Sequence, residues 1–182
     1  MTPLTFLELV RLRRSVRRYR RDPVPREAIE RCLEAARLAP SACNSQPWTF
    51  LVADRDPLRA QLAEAAFGGV HRMNTFAIPA PVLVAVVAER SKLAAALGGA
   101  VRRVPYNLID LGIACEHFVL QAAAEGLGTC WLGWFDERAA RRVLGLSRLA
   151  HVPIIISMGY ADQPPAGEQK RKPIDEVRRY LA

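Results

Sequence analysis

The chain has 182 residues, 51% of them hydrophobic, which suits one domain with a real core and excludes general disorder. Its net charge of +8 invites an anionic partner: nucleic acid, a membrane phosphate or a phosphorylated cofactor. No apolar run is long enough to cross a bilayer, and the N-terminal charges follow the apolar part, the reverse of a secretory signal, so a soluble cytoplasmic protein is expected. Four cysteines without a CxxC and three scattered histidines give no pattern for a disulfide framework or a zinc site.

Thr2-Pro3 reads as a helix start, with Leu4, Leu7, Leu9 and Val10 as apolar positions up to about Arg13. Ala28, Ile29, Cys32, Leu33 and Ala36 predict a helix over 26–38, stopped by Pro40. WTFLVA at 48–53 reads as a short strand, 56–66 as a helix, and 81–88, apolar without alternation, as a fully buried strand. The longest helical pattern runs from about Pro105 to Glu125. Leu108, Leu111, Cys115, Phe118, Val119 and Ala122 line its apolar face, and Ile113 and Leu120 widen it. A helix apolar nearly all round belongs in a core or a subunit interface.

Gly126 suits the residue just past that helix, in left-handed conformation. GTCWLGWF then reads as strand or extended loop, Asp136 caps a helix to about Leu144, and VPIIISMGY is another strand. The tail ADQPPAGEQKRKPIDEVRRYLA, Pro/Gly-rich and then charged, reads as an arm lying over a surface. Helices followed by strands separated by helices predict an α+β fold around one sheet.

GLGTCWLG at 126–133 is the nearest approach to a dinucleotide loop, but its spacing is wrong and it follows a helix, so neither a Rossmann nor a Walker A site is supported. In RLRRSVRRYRR, residues 11–21, seven of eleven residues are Arg, and KRK sits at 170–172 near the other end of the chain. Two readings of the Arg run stand open. It is a solvated basic surface or nucleic-acid arm, or it is a specific phosphate site. In the second, guanidinium groups offer bidentate donors, Ser15 adds a neutral one, and Val16 and Tyr19 supply packing anchors. APSACNSQPW at 39–48 is similarly double: its Ser and Asn side chains satisfy turns, yet Asn, Gln and Ser together also suit a planar polar heterocycle.

RRSVRRY at 13–19, APSACNSQPW at 39–48, GLGTCWLGWF at 126–135, VPIIISMGYAD at 152–162 and RKPIDEV at 171–177 occur in an order and at separations that resemble the FMN-dependent nitroreductase family. Each motif is weak alone; together they are specific and cover nearly the whole chain, which looks like a short member. The resemblance implies a central, mainly antiparallel sheet flanked by helices in an intertwined homodimer. Residues 1–182 would form one domain, the long helix would pair at the dimer core, and residues 163–182 would reach onto the partner subunit.

It also implies FMN at the interface. Arg13, Ser15 and Arg17, with Arg14 near them, would hold its phosphate and ribityl chain, and Arg171 with Lys170 would reach the same phosphate. Pro40, Ser41, Asn44 and Gln46 would meet the flavin from the other subunit, and Trp131, Leu132 and Gly133 would offer backbone amides toward N5 and O4. Arg72 and Asn74 are further candidates. NAD(P)H would pass hydride to N5, and a nitroaromatic, quinone or related small acceptor would then take its place, without an obligate catalytic side chain, metal, nucleic acid or membrane. Where some family members carry a Glu beside the Gly, Leu132 stands here, and there is little room between Ala88 and Pro105 for the helices that often cover the active site. The resemblance also leaves open a flavin carrier or sensor, and specialised enzymes for dehalogenation or flavin fragmentation.

Overall fold

Four strands, β1 (Trp48–Ala53), β2 (Val82–Ala88), β3 (Gly128–Leu132) and β4 (His151–Gly159), form one antiparallel sheet in the order β1-β2-β4-β3. The structure is a computed structural model; it describes residues 5–89, 104–163, 167 and 169–181. The central pair β2 and β4 is apolar on both sides because helices cover both faces of the sheet. Along β2 the residues alternate between two cores. Val82, Val84 and Val86 pack with Ile29 and Cys32 of helix α2 (Arg26–Arg37) and with Cys115, Phe118 and Val119 of helix α4 (Tyr106–Ala124). Leu83 and Ala85 face the other way, onto Leu62, Ala66 and Phe67 of helix α3 (Leu58–Phe67) and Ala140 of helix α5 (Glu137–Val143).

The expected strand at 48–53 and the long helix appear with nearly the expected ends. Gly126 does terminate α4: its φ is +73°, and the next N–H, of Leu127, reaches back to the Ala122 carbonyl at 2.8 Å. Asp136 caps α5 through the Ala139 N–H at 2.8 Å.

The first helix differs. Helix α1 (Phe6–Leu12) begins at Thr5, whose side chain forms a reciprocal capping box with Glu8, while the expected Thr2-Pro3 start lies outside the described residues. None of its residues is buried, and Phe6, Leu7 and Leu12 are exposed. The segment Gly69–Ala77, between the expected helix at 56–66 and the expected strand at 81–88, forms 3₁₀ turns. Its apolar residues Val70, Met73 and Phe76 recur every three residues, the 3₁₀ period. The tail contains a short exposed helix, α6 (Ile174–Val177). No helix among the described residues is long and apolar enough to cross a membrane.

Two glycines paired across β3 and β4, Gly128 and Gly159, open the sheet edge to the N-terminal segment. A Cβ on Gly128 would meet the Val16 side chain at 2.5–3.0 Å, and one on Gly159 would meet Pro81 at 2.6 Å and Tyr19 at 3.1 Å. Gly128→Ala should therefore displace residues 15–17 and cost about 1–3 kcal/mol by overpacking, measured by urea unfolding. Unchanged stability would mean that Val16 moves aside freely.

Candidate functional site

The arginine run is held by Val16 and Tyr19, whereas its other apolar member, Leu12, is exposed. Val16 and Tyr19 are 7% and 8% exposed, buried among residues of the second core. The Val16 N–H donates to the Thr129 carbonyl at 2.9 Å, Ser15 forms a parallel bridge to Thr129, and Tyr19 an antiparallel bridge to Ala161. The Tyr19 hydroxyl donates to the Val16 carbonyl at 2.8 Å, so the Ser157 hydroxyl, also at 2.8 Å, is its donor. Burial pushes the Tyr19 phenol well above its ordinary range. Residues 15 and 16 thus lie along the edge of β3 and Tyr19 beside Ala161 just past β4, so the exposed Arg17 and Arg18 stand on a segment fixed at both ends.

The tail meets this segment. The Gln169 amide donates to the Arg13 carbonyl at 2.7 Å, and its oxygen accepts from the Arg171 guanidinium. Arg14 donates to the Gly167 carbonyl at 3.0 Å. The two basic clusters, more than 150 residues apart in sequence, are therefore joined through one glutamine. Arg13 lies 3.7 Å from Glu116 of α4, whose carboxyl is raised by burial and pulled back by that arginine. The Arg17 guanidinium sits over the Phe76 ring at 5.8 Å. Beneath them the Cys130 thiol is pushed up by burial, against the opposing pull of Arg17, Ser15 and Arg13. Lys170 and Arg171 are exposed.

Further along the same strand, Trp131 and Leu132 close β3, with the Leu132 side chain buried and Gly133 exposed beyond it. Asn74 donates to the Trp134 carbonyl at 2.7 Å, and the His71 ring packs on the Trp134 ring at 5.2 Å, tying the 3₁₀ segment to the end of β3. Arg72 is exposed on that segment.

Pro40, Ser41, Asn44 and Gln46 stand elsewhere. Within their loop the Ser41 hydroxyl accepts from the Gln46 N–H at 2.9 Å, and the Gln46 amide donates to the Asn44 side-chain oxygen at 2.9 Å. Cys43, Asn44 and Gln46 all have φ near +50°, which non-glycine residues seldom adopt. The loop is held by a residue that sequence reasoning missed. Asp110, 4% exposed on α4, accepts from the Ala42 N–H with both carboxylate oxygens at 3.1 Å. An acid set among Leu108, Ile109 and Leu111 was the available signal. Pro47 is buried and Trp48 opens β1, so the loop is fixed at both ends. The Ser45 hydroxyl is buried without a hydrogen-bond partner among the described residues.

The structure thus brings Arg13 and Arg14, next to Ser15, together with Arg171 through Gln169 and Gly167, and places Trp131, Leu132 and Gly133 farther along β3; Arg17 turns onto Phe76, and Lys170 is exposed next to Arg171. The loop is anchored at Asp110 near the start of α4, while the basic segment meets the helix farther along, at Glu116 through Arg13 and at Ala123 in the cleft, about 9 and 20 Å along the helix axis from Asp110. Guanidinium groups on neighbouring segments and a serine hydroxyl form a donor set suited to a phosphate-bearing cofactor, and the side-chain amides of Asn44 and Gln46 suit a polar ring.

An antiparallel α+β sheet with cationic side chains ordered along one edge is the class that fold and site define. The Nitroreductase family profile matches residues 10–160, and the chain belongs to that family. It is 33% identical to a protein of Thermus thermophilus named NADH dehydrogenase, over 91% of this chain and 90% of that one. It superposes on an Exiguobacterium sibiricum structure, named for the nitroreductase class and solved in complex with FMN, with a TM-score of 0.80 and 26% identity, covering 100% and 99% of the two chains. An iodotyrosine deiodinase of Thermotoga neapolitana is 25% identical over 86% of this chain and 89% of its own.

Removing the Asp110 carboxylate leaves the Ala42 N–H unpaired. Asp110→Ala should cost about 1–3 kcal/mol and speed hydrogen exchange at the amides of residues 42–46 more than in the sheet. Exchange unchanged in that loop would show that Asp110 does not hold it.

Proposed function

We propose that the chain is an FMN-dependent NAD(P)H oxidoreductase acting on nitroaromatic, quinone or related small acceptors as a homodimer. The observation that carries this reading is the meeting of the segment around Ser15 with the tail: Gln169 bonds both the Arg13 carbonyl and the Arg171 guanidinium, and Arg14 bonds the Gly167 carbonyl. Bound FMN would supply the hydride-accepting and hydride-donating centre. The chain's own part is to hold and orient it. Arg13, Arg14, Arg17, Lys170 and Arg171 would take the phosphate, with Ser15 as neutral donor. Trp131, Leu132 and Gly133 would present backbone donors to the ring, and positive charge nearby favours the reduced, anionic form. Side chains that accept or release protons are not required.

A second chain completes the site in this reading. The cleft beside the arginines measures about 140 Å³, below the roughly 300–1,000 Å³ of small-molecule pockets. Ile109 of α4 is 49% exposed, and a Cβ on Gly112 would meet nothing within 4 Å. Pairing two α4 helices antiparallel, crossing near their middle, carries Pro40, Ser41, Asn44 and Gln46 of one chain toward the arginines of the other. Exposed Phe6, Leu7, Leu12, Ile174, Val177 and Leu181 then find apolar cover. Burial of Val16 and Tyr19 within the basic run supports this over a nucleic-acid arm.

The sequence relation to an iodotyrosine deiodinase keeps dehalogenation as a second reading of the same site. An acceptor panel containing menadione, a nitrofuran and a halogenated tyrosine, run with NADH and NADPH, separates the two. FMN added to the purified chain should remain bound through gel filtration, and turnover should give parallel double-reciprocal lines. Failure to retain flavin would overturn the reading. Arg171→Ala should weaken FMN binding about 10- to 100-fold, measured by fluorescence titration. Gly112→Leu should give monomers that retain little flavin; a dimer with full flavin would contradict the helix pairing.

A further inference from the structure

The flavin reading leaves one basic surface without a role. Arg138, Arg141, Arg142, Leu146 and Arg148, on α5 and the loop after it, line a cavity of about 530 Å³. No carboxylate is among these lining residues, and among the described residues none of the four arginines makes an ion pair. Cations at a helix C-terminus complement the helix dipole, which accounts for Arg141 and Arg142 in the last turn of α5. It does not account for Arg138 in the first turn, where the dipole opposes positive charge, nor for Arg148 in the loop.

Arg141 is fixed in place, while Arg138, Arg142 and Arg148 are exposed around it. One Arg141 nitrogen, Nη1, donates to the carbonyls of Arg148 and Ala150, both at 2.7 Å, folding the loop back so that Arg148 shares the cavity with the helix. Four guanidiniums around one cavity without a counter-charge create a potential that a bound polyanion relieves. The volume falls in the range of nucleotide-sized ligands, and Leu146 is the single apolar lining residue, so phosphate rather than a ring is what the lining recognises. Helix α5 packs on the sheet face of α3, opposite α4, so this cavity lies on the other face from the Arg13–Glu116 contact, and none of its lining residues belongs to the cleft beside Arg13 and Arg14.

We propose that this cavity is a second anion site, taking a compact polyphosphate either free or carried on a nucleotide. It stands independently of the flavin reading. The test is calorimetric titration of the full chain, with saturating FMN present, using inorganic tripolyphosphate, ATP and sulfate at constant ionic strength. Saturable binding of one tripolyphosphate or ATP per chain is expected, weakened about tenfold or more in Arg138→Gln/Arg148→Gln. The equally charged control Arg37→Gln/Arg55→Gln should change little.

Tighter ATP binding would assign the site to a nucleotide, and tighter tripolyphosphate to free polyphosphate; either supports it. Equal weakening in both double variants, or no binding beyond that of sulfate, would overturn it as diffuse charge. Binding of single-stranded DNA with a steep salt dependence, without saturable tripolyphosphate binding, would overturn it in favour of a nucleic-acid surface. A chain that takes no FMN yet shows the expected phosphate pattern would lose the flavin reading and keep this one.

Discussion

Arginines close together repel one another and hydrate readily, so a run of seven within eleven residues does not order itself. What orders it here is the insertion of Val16 and Tyr19 between them, against a sheet edge cleared by Gly128 and Gly159. Apolar burial supplies the stabilisation, roughly 1.5–3 kcal/mol for a fully buried side chain of this size. The backbone bonds to Thr129, Tyr160 and Ala161 convert it into position. The arginines are consequently presented at fixed places along β3, and the tail, by adding Gln169 and Arg171, brings more positive charge to the same edge.

The second constraint is the length of α4. Asp110 near its start holds the polar loop, and the basic segment meets it from Glu116 to Ala123, so in the proposed dimer one helix would serve two half-sites. A flavin site assembled by two antiparallel copies of that helix uses both halves without either having to move. Buried Asp110 then connects fold to function: a backbone conformation with three positive φ values persists because a carboxylate inside the core compensates for it.

The sequence made the sheet and the long helix legible because their patterns are long and their ends chemically marked. An unbroken apolar run became β2, covered on both faces, and Gly126 and Asp136 acted at helix ends as their chemistry requires. The meeting of the two basic clusters was legible only through family resemblance, since nothing local in RRSVR or QKRK points across more than 150 residues. Asp110 was missed because a single acid in a helix is ordinarily solvated, and its burial depends on a loop arriving from elsewhere. The 69–77 segment was missed because a three-residue apolar period reads poorly against the 3.6 of an α-helix. Helix α1 was found as a helix, but the exposure of its apolar residues depends on what packs beside it.

The central claim, a site made from the arginines of one chain and the loop of another, is tested most directly by complementation. Chains carrying Arg14→Ala with Arg171→Ala, and chains carrying Ser41→Ala with Asn44→Ala, should each retain little FMN alone. Co-expressed, they should form mixed dimers in which one site is intact and the other doubly impaired. About a quarter of all sites should then recover native FMN affinity, given random two-fold assembly. No recovery in mixed dimers confirmed by mass spectrometry would mean that each site is built within a single chain, and the account would fail.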